Sequence, residues 1–111
     1  MADGQDAVWT DWAPANNSTF AMRYRRSPVL RVKNCFESKT PSGAYSGLLR
    51  YIMEFSFHGQ RFEIEEVLDK PDGDTAFCLV RAYNQKGELT SEHRYPRYQD
   101  AEIYVVEHCQ D

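Results

Sequence analysis

The chain contains few cysteines and no long apolar run. Its three cysteines, Cys35, Cys78 and Cys109, lie far apart and form no CxxC pair, which argues against a secreted disulfide framework. No segment approaches the roughly 18 consecutive apolar residues that a membrane-spanning helix needs, and no apolar segment follows a basic start. We therefore predict a cytoplasmic protein that keeps its thiols reduced and makes no contact with a membrane.

The motifs that mark catalytic and cofactor-binding sites are also absent. The sequence has no GxGxxG or Walker-type loop, no GxSxG, and neither HxxxH nor HExxH. The three histidines, His58, His93 and His108, have no diagnostic neighbours. We therefore predict no catalytic residue, no metal ligand and no cofactor, and we favour a protein that is not an enzyme.

The charge balance is acidic, but the charges are unevenly distributed. Thirteen Lys and Arg oppose 17 Asp and Glu, and the resulting net charge of −4 disfavours a general nucleic-acid binder. Residues 1–36 carry five basic and three acidic groups, a balance of +2, which leaves −6 on residues 37–111. The 111 residues suffice for one domain, which we divide into a flexible or loosely docked arm, residues 1–18, and a single β domain, residues 19–111.

The clearest pattern is a hairpin within residues 49–68. Apolar and polar residues alternate on both sides of His58 and Gly59, with the period of two that is typical of half-buried strands. A two-residue turn there would place the apolar side chains of both strands on one face. The register of that hairpin pairs Phe57 with Gln60, Phe55 with Phe62 and Met53 with Ile64. A helix over residues 42–59 is the alternative, but it loses this match.

The same alternation predicts an antiparallel meander of about seven strands. The predicted strands cover residues 19–25, 29–36, 49–57, 60–68, 77–83, 89–95 and 102–108. Residues 37–47 are predicted to form a long loop and residues 70–74 a tight turn. We therefore predict an all-β, single-domain protein whose sheet buries its apolar face by closing as a small barrel or a sandwich.

The second predicted hairpin has Gly87 at a left-handed position in its turn. Its register pairs Tyr83 with Leu89 and Phe77 with Tyr95. This register places the one conceivable nucleophile pair, Cys78 and His93, on opposite faces. In the first hairpin, Glu54 falls opposite Glu63, and the outer face of the sheet is expected to carry both carboxylates and arginines.

Two Arg–Tyr clusters stand out as candidate binding residues, the first at residues 23–26 and the second at residues 94–98. Arg, Tyr and Trp are enriched at the energetic centres of protein interfaces because they combine a large contact area with directional hydrogen bonds. Two Trp in the polar arm either cap the core or anchor a partner, since indole rings are costly to leave in water. The predicted partner-binding residues are Arg23, Tyr24, Arg25, Arg26, Arg94, Tyr95, Arg97, Tyr98, Trp9 and Trp12.

These residues favour a non-catalytic binding module that acts on a protein partner, as an inhibitor, immunity factor or accessory subunit does. The alternative is a small-molecule-binding β-barrel, with isomerase, cyclase or lyase activity through a buried His or Tyr. Its aromatic interior would consist of Tyr51, Phe55, Phe57, Phe62, Phe77 and Tyr95. Single-stranded nucleic-acid binding is a third hypothesis, which the net charge disfavours. Exposed edge strands would also allow a homodimer.

Overall fold

The computed structural model describes residues 7–38 and 40–109, which form one antiparallel sheet and two helices. The elements in chain order are β1 (Val8–Trp9), β2 (Ala13–Ala15), α1 (Ser18–Tyr24), β3 (Val29–Phe36), β4 (Leu48–Phe57), β5 (Gln60–Leu68), β6 (Thr75–Tyr83), β7 (Leu89–Tyr95) and α2 (Tyr98–His108). Among these residues, neither α1 nor α2 has the length and apolar character of a membrane-crossing helix.

The seven-stranded sheet is an antiparallel meander, as predicted. Its strand order is β1-β3-β4-β5-β6-β7, and β2 pairs with β3 beside β1. The sheet is open at β7, so within the described residues it forms neither a barrel nor a sandwich. Its apolar face is instead covered by α1 and α2, which supply Phe20, Ala101, Tyr104 and Val105 to the core.

The predicted register of the first hairpin is confirmed. β4 and β5 pair Phe57 with Gln60, Phe55 with Phe62 and Met53 with Ile64. His58 and Gly59 adopt φ angles of 32° and 90°, the positive values that a tight two-residue hairpin turn requires. The alternative helix over residues 42–59 is therefore wrong.

The second hairpin differs from its prediction by one residue. Tyr83 pairs with Leu89 as expected, but the register shifts between Ala82 and Tyr83. Thr90 is the extra residue, and its hydroxyl donates to the Ala82 carbonyl at 3.1 Å. The predicted pairing of Phe77 with Tyr95 is consequently wrong, because Tyr95 lies opposite Cys78. The same shift places Cys78 and His93 on one face, not on opposite faces.

The first predicted strand is a helix, α1. Its alternation of apolar residues also satisfies a helical spacing, since Phe20 and Tyr24 are four residues apart and both contact the core. Met22, which a strand would have turned inward with them, is 83% exposed. The helix ends at Arg25, which adopts a left-handed φ of 58°.

The last predicted strand is also a helix, α2. Its β-branched residues favour a strand locally, but tertiary packing overrides that preference. Ala101, Tyr104 and Val105 are buried at helical spacing against the sheet, whereas Ile103 is 39% exposed. Residues 102–108 thus cover the sheet instead of extending it.

The described part of the predicted arm, which begins at residue 7, is docked against the sheet. β1 pairs Trp9 with Cys35, and β2 pairs Ala13 with Val32, so both short strands lie along β3. Residues 1–6 of the arm lie outside the described residues. Two Trp of the arm are thereby positioned beside the sheet.

Candidate functional site

The two faces of the sheet differ in chemistry because side chains alternate along each strand. We call the face opposite α1 and α2 the open face, since neither helix packs on it. It carries mostly charged and aromatic side chains: Arg31, Lys33, Arg50, Glu54, Arg61, Glu63, Glu65, Phe77, Arg81, Tyr83, Glu92 and Arg94. Glu54 lies opposite Glu63, as predicted.

Glu54 is held by two arginines at the centre of the open face. Arg31 binds it in a bidentate manner, with Nε 2.8 Å from Oε1 and Nη2 3.0 Å from Oε2. Arg61 Nη1 donates to the same carboxylate at 3.3 Å and to Glu63 at 3.1 Å. Burial alone would raise the pKa of Glu54, but the hydrogen bonds from Arg31 and Arg61 outweigh it and lower that pKa below its ordinary value.

Arg81 extends this network of ion pairs to β7. Its Nη2 donates to Glu65 at 2.8 Å, and its Nε donates to Glu92 at 2.7 Å. Arg50 Nη1 lies 3.3 Å from the second Glu65 oxygen. The contacts therefore continue across the sheet from β3 to β7.

Over β3, β4 and β5, the negative charges of the network lie beneath its positive charges. The order is reversed between β6 and β7, where the Arg81 side chain is 19% exposed and that of Glu92 46%. The buried layer consists of glutamates whose side chains are 4 to 11% exposed: Glu54, Glu63 and Glu65. The outer layer includes arginines whose side chains are 35 to 46% exposed: Arg31, Arg50 and Arg61. The open face consequently presents guanidinium groups to solvent.

Trp9 and Trp12 lie over the cations at the β3 side of the open face. The Arg31 guanidinium carbon is 4.8 Å from the centre of the Trp12 ring, and Lys33 Nζ is 5.0 Å from it. Lys33 and Arg50 lie 5.1 and 5.3 Å from the Trp9 ring centre. These cation–π contacts join both rings to the open face, and neither ring belongs to the described core cluster.

A second pair of cation–π contacts lies further along the open face. Arg61 stacks on Tyr83 and Arg94 stacks on Phe77, each at 3.9 Å from the ring centre. Arg94 is the one member of the second Arg–Tyr cluster with this contact. Aromatic and cationic side chains therefore alternate over much of the face.

A basic cleft of about 340 Å³ opens at one end of the sheet. Arg25, Arg26 and His58 line it together with Val29 and Ser56, two open-face positions. Arg25 and His58 both have positive φ, at 58° and 32°, which is uncommon for residues other than glycine. The cleft continues the basic character of the open face past the end of β4.

The remaining predicted binding residues lie on the helix-covered side. Arg23 and Tyr24 both bind Glu102 of α2, at 3.2 and 3.1 Å. Burial and the neighbouring Glu102 carboxylate raise the pKa of Tyr24. Tyr95 and Tyr98 pack against the core. Arg97 immediately precedes α2. The two Arg–Tyr clusters therefore do not merge into one site.

A polar cluster lies between α2 and the sheet. The Tyr51 and Thr75 hydroxyls both donate hydrogen bonds to Glu66. The Tyr98 ring centre is 6.2 Å from that of Tyr51. Burial, reinforced by nearby ionisable side chains, raises the pKa values of Tyr51 and Tyr98. The two hydrogen bonds to Glu66 join β4 and β6 to β5 on the helix-covered face.

The aromatic residues predicted to line an interior mostly pack against one another or against aromatic rings of the two helices. Phe20 lies 5.1 Å from Phe55, and Phe57 lies 6.1 Å from Phe62 between ring centres. Phe77 is on the open face, opposite Val67. Within the described residues, no group of three His, Cys, Asp or Glu side chains has an arrangement that could hold a metal ion.

Sequence reasoning singled out the Trp pair and Arg94 as binding residues. It expected arginines on the outer face of the sheet but did not include the other cations of the open face among the binding residues: Arg31, Lys33, Arg50, Arg61 and Arg81. Their alternation along strands was the available signal, and the burial of the glutamates beneath them was not visible in it.

Comparison of the chain with protein-family models, curated proteins and solved structures finds no match.

Proposed function

We propose that the protein is a non-catalytic binding module whose open face takes an acidic protein surface. The observation that supports this proposal is the layering of charge over β3, β4 and β5. Three glutamates are buried there beneath three half-exposed arginines: Glu54, Glu63 and Glu65 beneath Arg31, Arg50 and Arg61. A partner that approaches the open face over β3, β4 and β5 meets guanidinium groups and aromatic rings before it meets the carboxylates of those strands. Such a surface complements negatively charged side chains.

The distribution of charge over the whole chain agrees with an acidic partner. The open face carries six Lys or Arg and four Glu, a balance of +2, whereas the entire chain has −4 and the remainder therefore −6. The open face therefore has a net positive charge, although the chain as a whole is acidic. A long polyanion such as nucleic acid would also meet the negative remainder, which favours a protein surface of limited extent.

The cations of the open face are already fixed in place. Ion pairs hold Arg31 and Arg61, and two indole rings hold Lys33. A side chain that is ordered before binding loses less conformational entropy when a partner arrives. The open face is therefore suited to recognition without rearrangement.

The test is a titration of a fluorescently labelled peptide of Glu, Asp and Tyr against the protein, followed by anisotropy at low salt. Lys33→Glu reverses one charge on the open face, and Lys86→Glu makes the same change in the exposed turn before β7. We expect Lys33→Glu to weaken peptide binding at least tenfold and Lys86→Glu to change it little.

Equal effects of the two variants would show that binding follows net charge alone, and would refute a specific open face. Failure of the wild-type protein to bind the acidic peptide would refute the acidic partner. A single-stranded oligonucleotide of matched length serves as competitor. If that oligonucleotide binds more tightly than the peptide, the partner of the open face is a nucleic acid and not a protein.

A further inference from the structure

Strand β7 leaves one of its backbone edges without a partner among the described residues. It pairs with β6 on one side, and it is the last strand of the sheet. At the opposite edge of the sheet, β1 and β2 pair with β3. Most of β7 is exposed, and Leu89 is 53% exposed. Unpaired N–H and C=O groups on such an edge can accept another strand.

Charged residues on an edge strand usually prevent pairing, but here they favour one register. In an antiparallel pair of two β7 strands related by a two-fold axis at His93, each Glu92 faces Arg94 of the other copy. Both residues lie on the open face, so the two ion pairs form on the same side of the joint sheet. An axis at Glu92 or at Arg94 would instead place like charges opposite each other.

We propose that two copies of the chain associate through β7, antiparallel, with the two-fold axis at His93. Pro96 follows β7 and has no backbone N–H, so it ends the shared ladder beyond Tyr95. The axis is perpendicular to the sheet, which places the helices of both copies on one side. The two open faces then become one continuous surface. The pairing does not depend on what the open face binds.

The first test is disulfide cross-linking in a Cys109→Ser background, where the two remaining cysteines are fully buried. Residues opposite each other at the axis have Cα atoms about 4.5–5.5 Å apart, within the range of a disulfide. We expect His93→Cys to form a covalent dimer under mild oxidation. Ser91→Cys is the control, since its copies would be offset by four residues, about 14 Å along the strands.

Cross-linking of Ser91→Cys as efficient as that of His93→Cys would overturn the register. A His93→Cys protein that stays monomeric would overturn it as well. Because His93 lies on the helix-covered face, this substitution leaves the open face unchanged. Loss of dimerisation and loss of peptide binding are therefore separable results.

The second test exchanges the charges and follows the dimer dissociation constant by analytical ultracentrifugation. Glu92→Arg or Arg94→Glu alone places like charges opposite each other, and we expect each to weaken the dimer at least tenfold. The double variant restores opposite charges, so its dimer should recover to within about threefold of wild type. Glu107→Arg, at an exposed position of α2, should leave the dimer unchanged.

The double variant also controls for a contact within one copy. Glu92 binds Arg81, and this ion pair is lost both in Glu92→Arg and in the double variant. Recovery in the double variant alone therefore reports on pairing between copies. A double variant that dimerises no better than Glu92→Arg would overturn the proposal, as would a wild-type chain that is monomeric at every concentration.

Discussion

Replacement of Arg31 by Met should lower the free energy of unfolding by about 2 kcal/mol. Arg31 donates two hydrogen bonds to Glu54, and Arg61 donates a third. Hydrogen bonds to a charged group contribute about 1.5–3 kcal/mol each where solvent is excluded. The sum is reduced here because the Arg31 side chain is 46% exposed and Arg61 still neutralises the carboxylate.

The same substitution should change the pH dependence of stability. The pKa of Glu54 is lower in the folded chain than the value of roughly 4.3 expected in the unfolded chain. The ionised carboxylate therefore contributes to the free energy of unfolding above that pH. The contribution is lost as the pH falls through the folded pKa. Without Arg31, the folded pKa of Glu54 rises, and the difference in stability between variant and wild type should shrink between pH 5 and pH 3.

Urea unfolding at pH 7, 5, 4 and 3, followed by tryptophan fluorescence, measures both effects. At pH 7, a loss of about 2 kcal/mol corresponds to a melting temperature lower by about 8 °C in a domain of this size. Arg31→Lys keeps the charge near Trp12 but cannot bind Glu54 in the same bidentate manner, so it should lose about half as much.

Lys86→Met removes an exposed charge and should change stability by less than about 0.5 kcal/mol. If Arg31→Met costs no more than Lys86→Met, the ion pairs of the open face do not contribute to stability. A difference between Arg31→Met and wild type that is as large at pH 3 as at pH 7 would refute the assigned protonation of Glu54.

Three other measurements examine the core and its polar groups. Cys109 is partly exposed and should react with a thiol reagent at pH 8, whereas Cys78, whose pKa burial raises to about 12, should react only after unfolding. Tyr51→Phe should cost about 1–2 kcal/mol at pH 7 and should reduce the loss of stability above about pH 10, because the folded pKa of Tyr51 is raised. Phe20→Ala should cost about 3–5 kcal/mol, but Met22→Ala less than about 0.5 kcal/mol; similar costs would contradict a helix at α1.

The sheet could be predicted from sequence where apolar residues alternate between clear turn signals. β3 matches its predicted bounds, and β4 and β5 differ from theirs by one residue at most. α1 was mistaken for a strand because Phe20 and Tyr24 fit a period of two as well as a helical spacing. α2 was mistaken because the β-branched preference of residues 103–106 is local, whereas the cover it provides for the sheet is a long-range requirement.

The candidate site was predictable only in part. Trp9, Trp12 and Arg94 were recognisable because large aromatic and guanidinium groups carry interface energy wherever they occur. The layering of Arg31 above Glu54 was not, because it depends on the pairing of β3 with β4 and on the depth of each side chain. Sequence alternation assigns a residue to a face and gives no information on its depth.

The bulge at Thr90 means that the β6–β7 connection holds one residue more than the pairing of the two strands requires. Without Thr90, Leu89 would be followed directly by Ser91, and the pairs Tyr83–Leu89 and Ala82–Ser91 would both be kept in a regular ladder. Deletion of Thr90 should therefore leave Glu92 and Arg94 on the open face and be tolerated about as well as a substitution at the same position. Variation in the length of the connection is thus permitted at this position, in addition to changes of residue type.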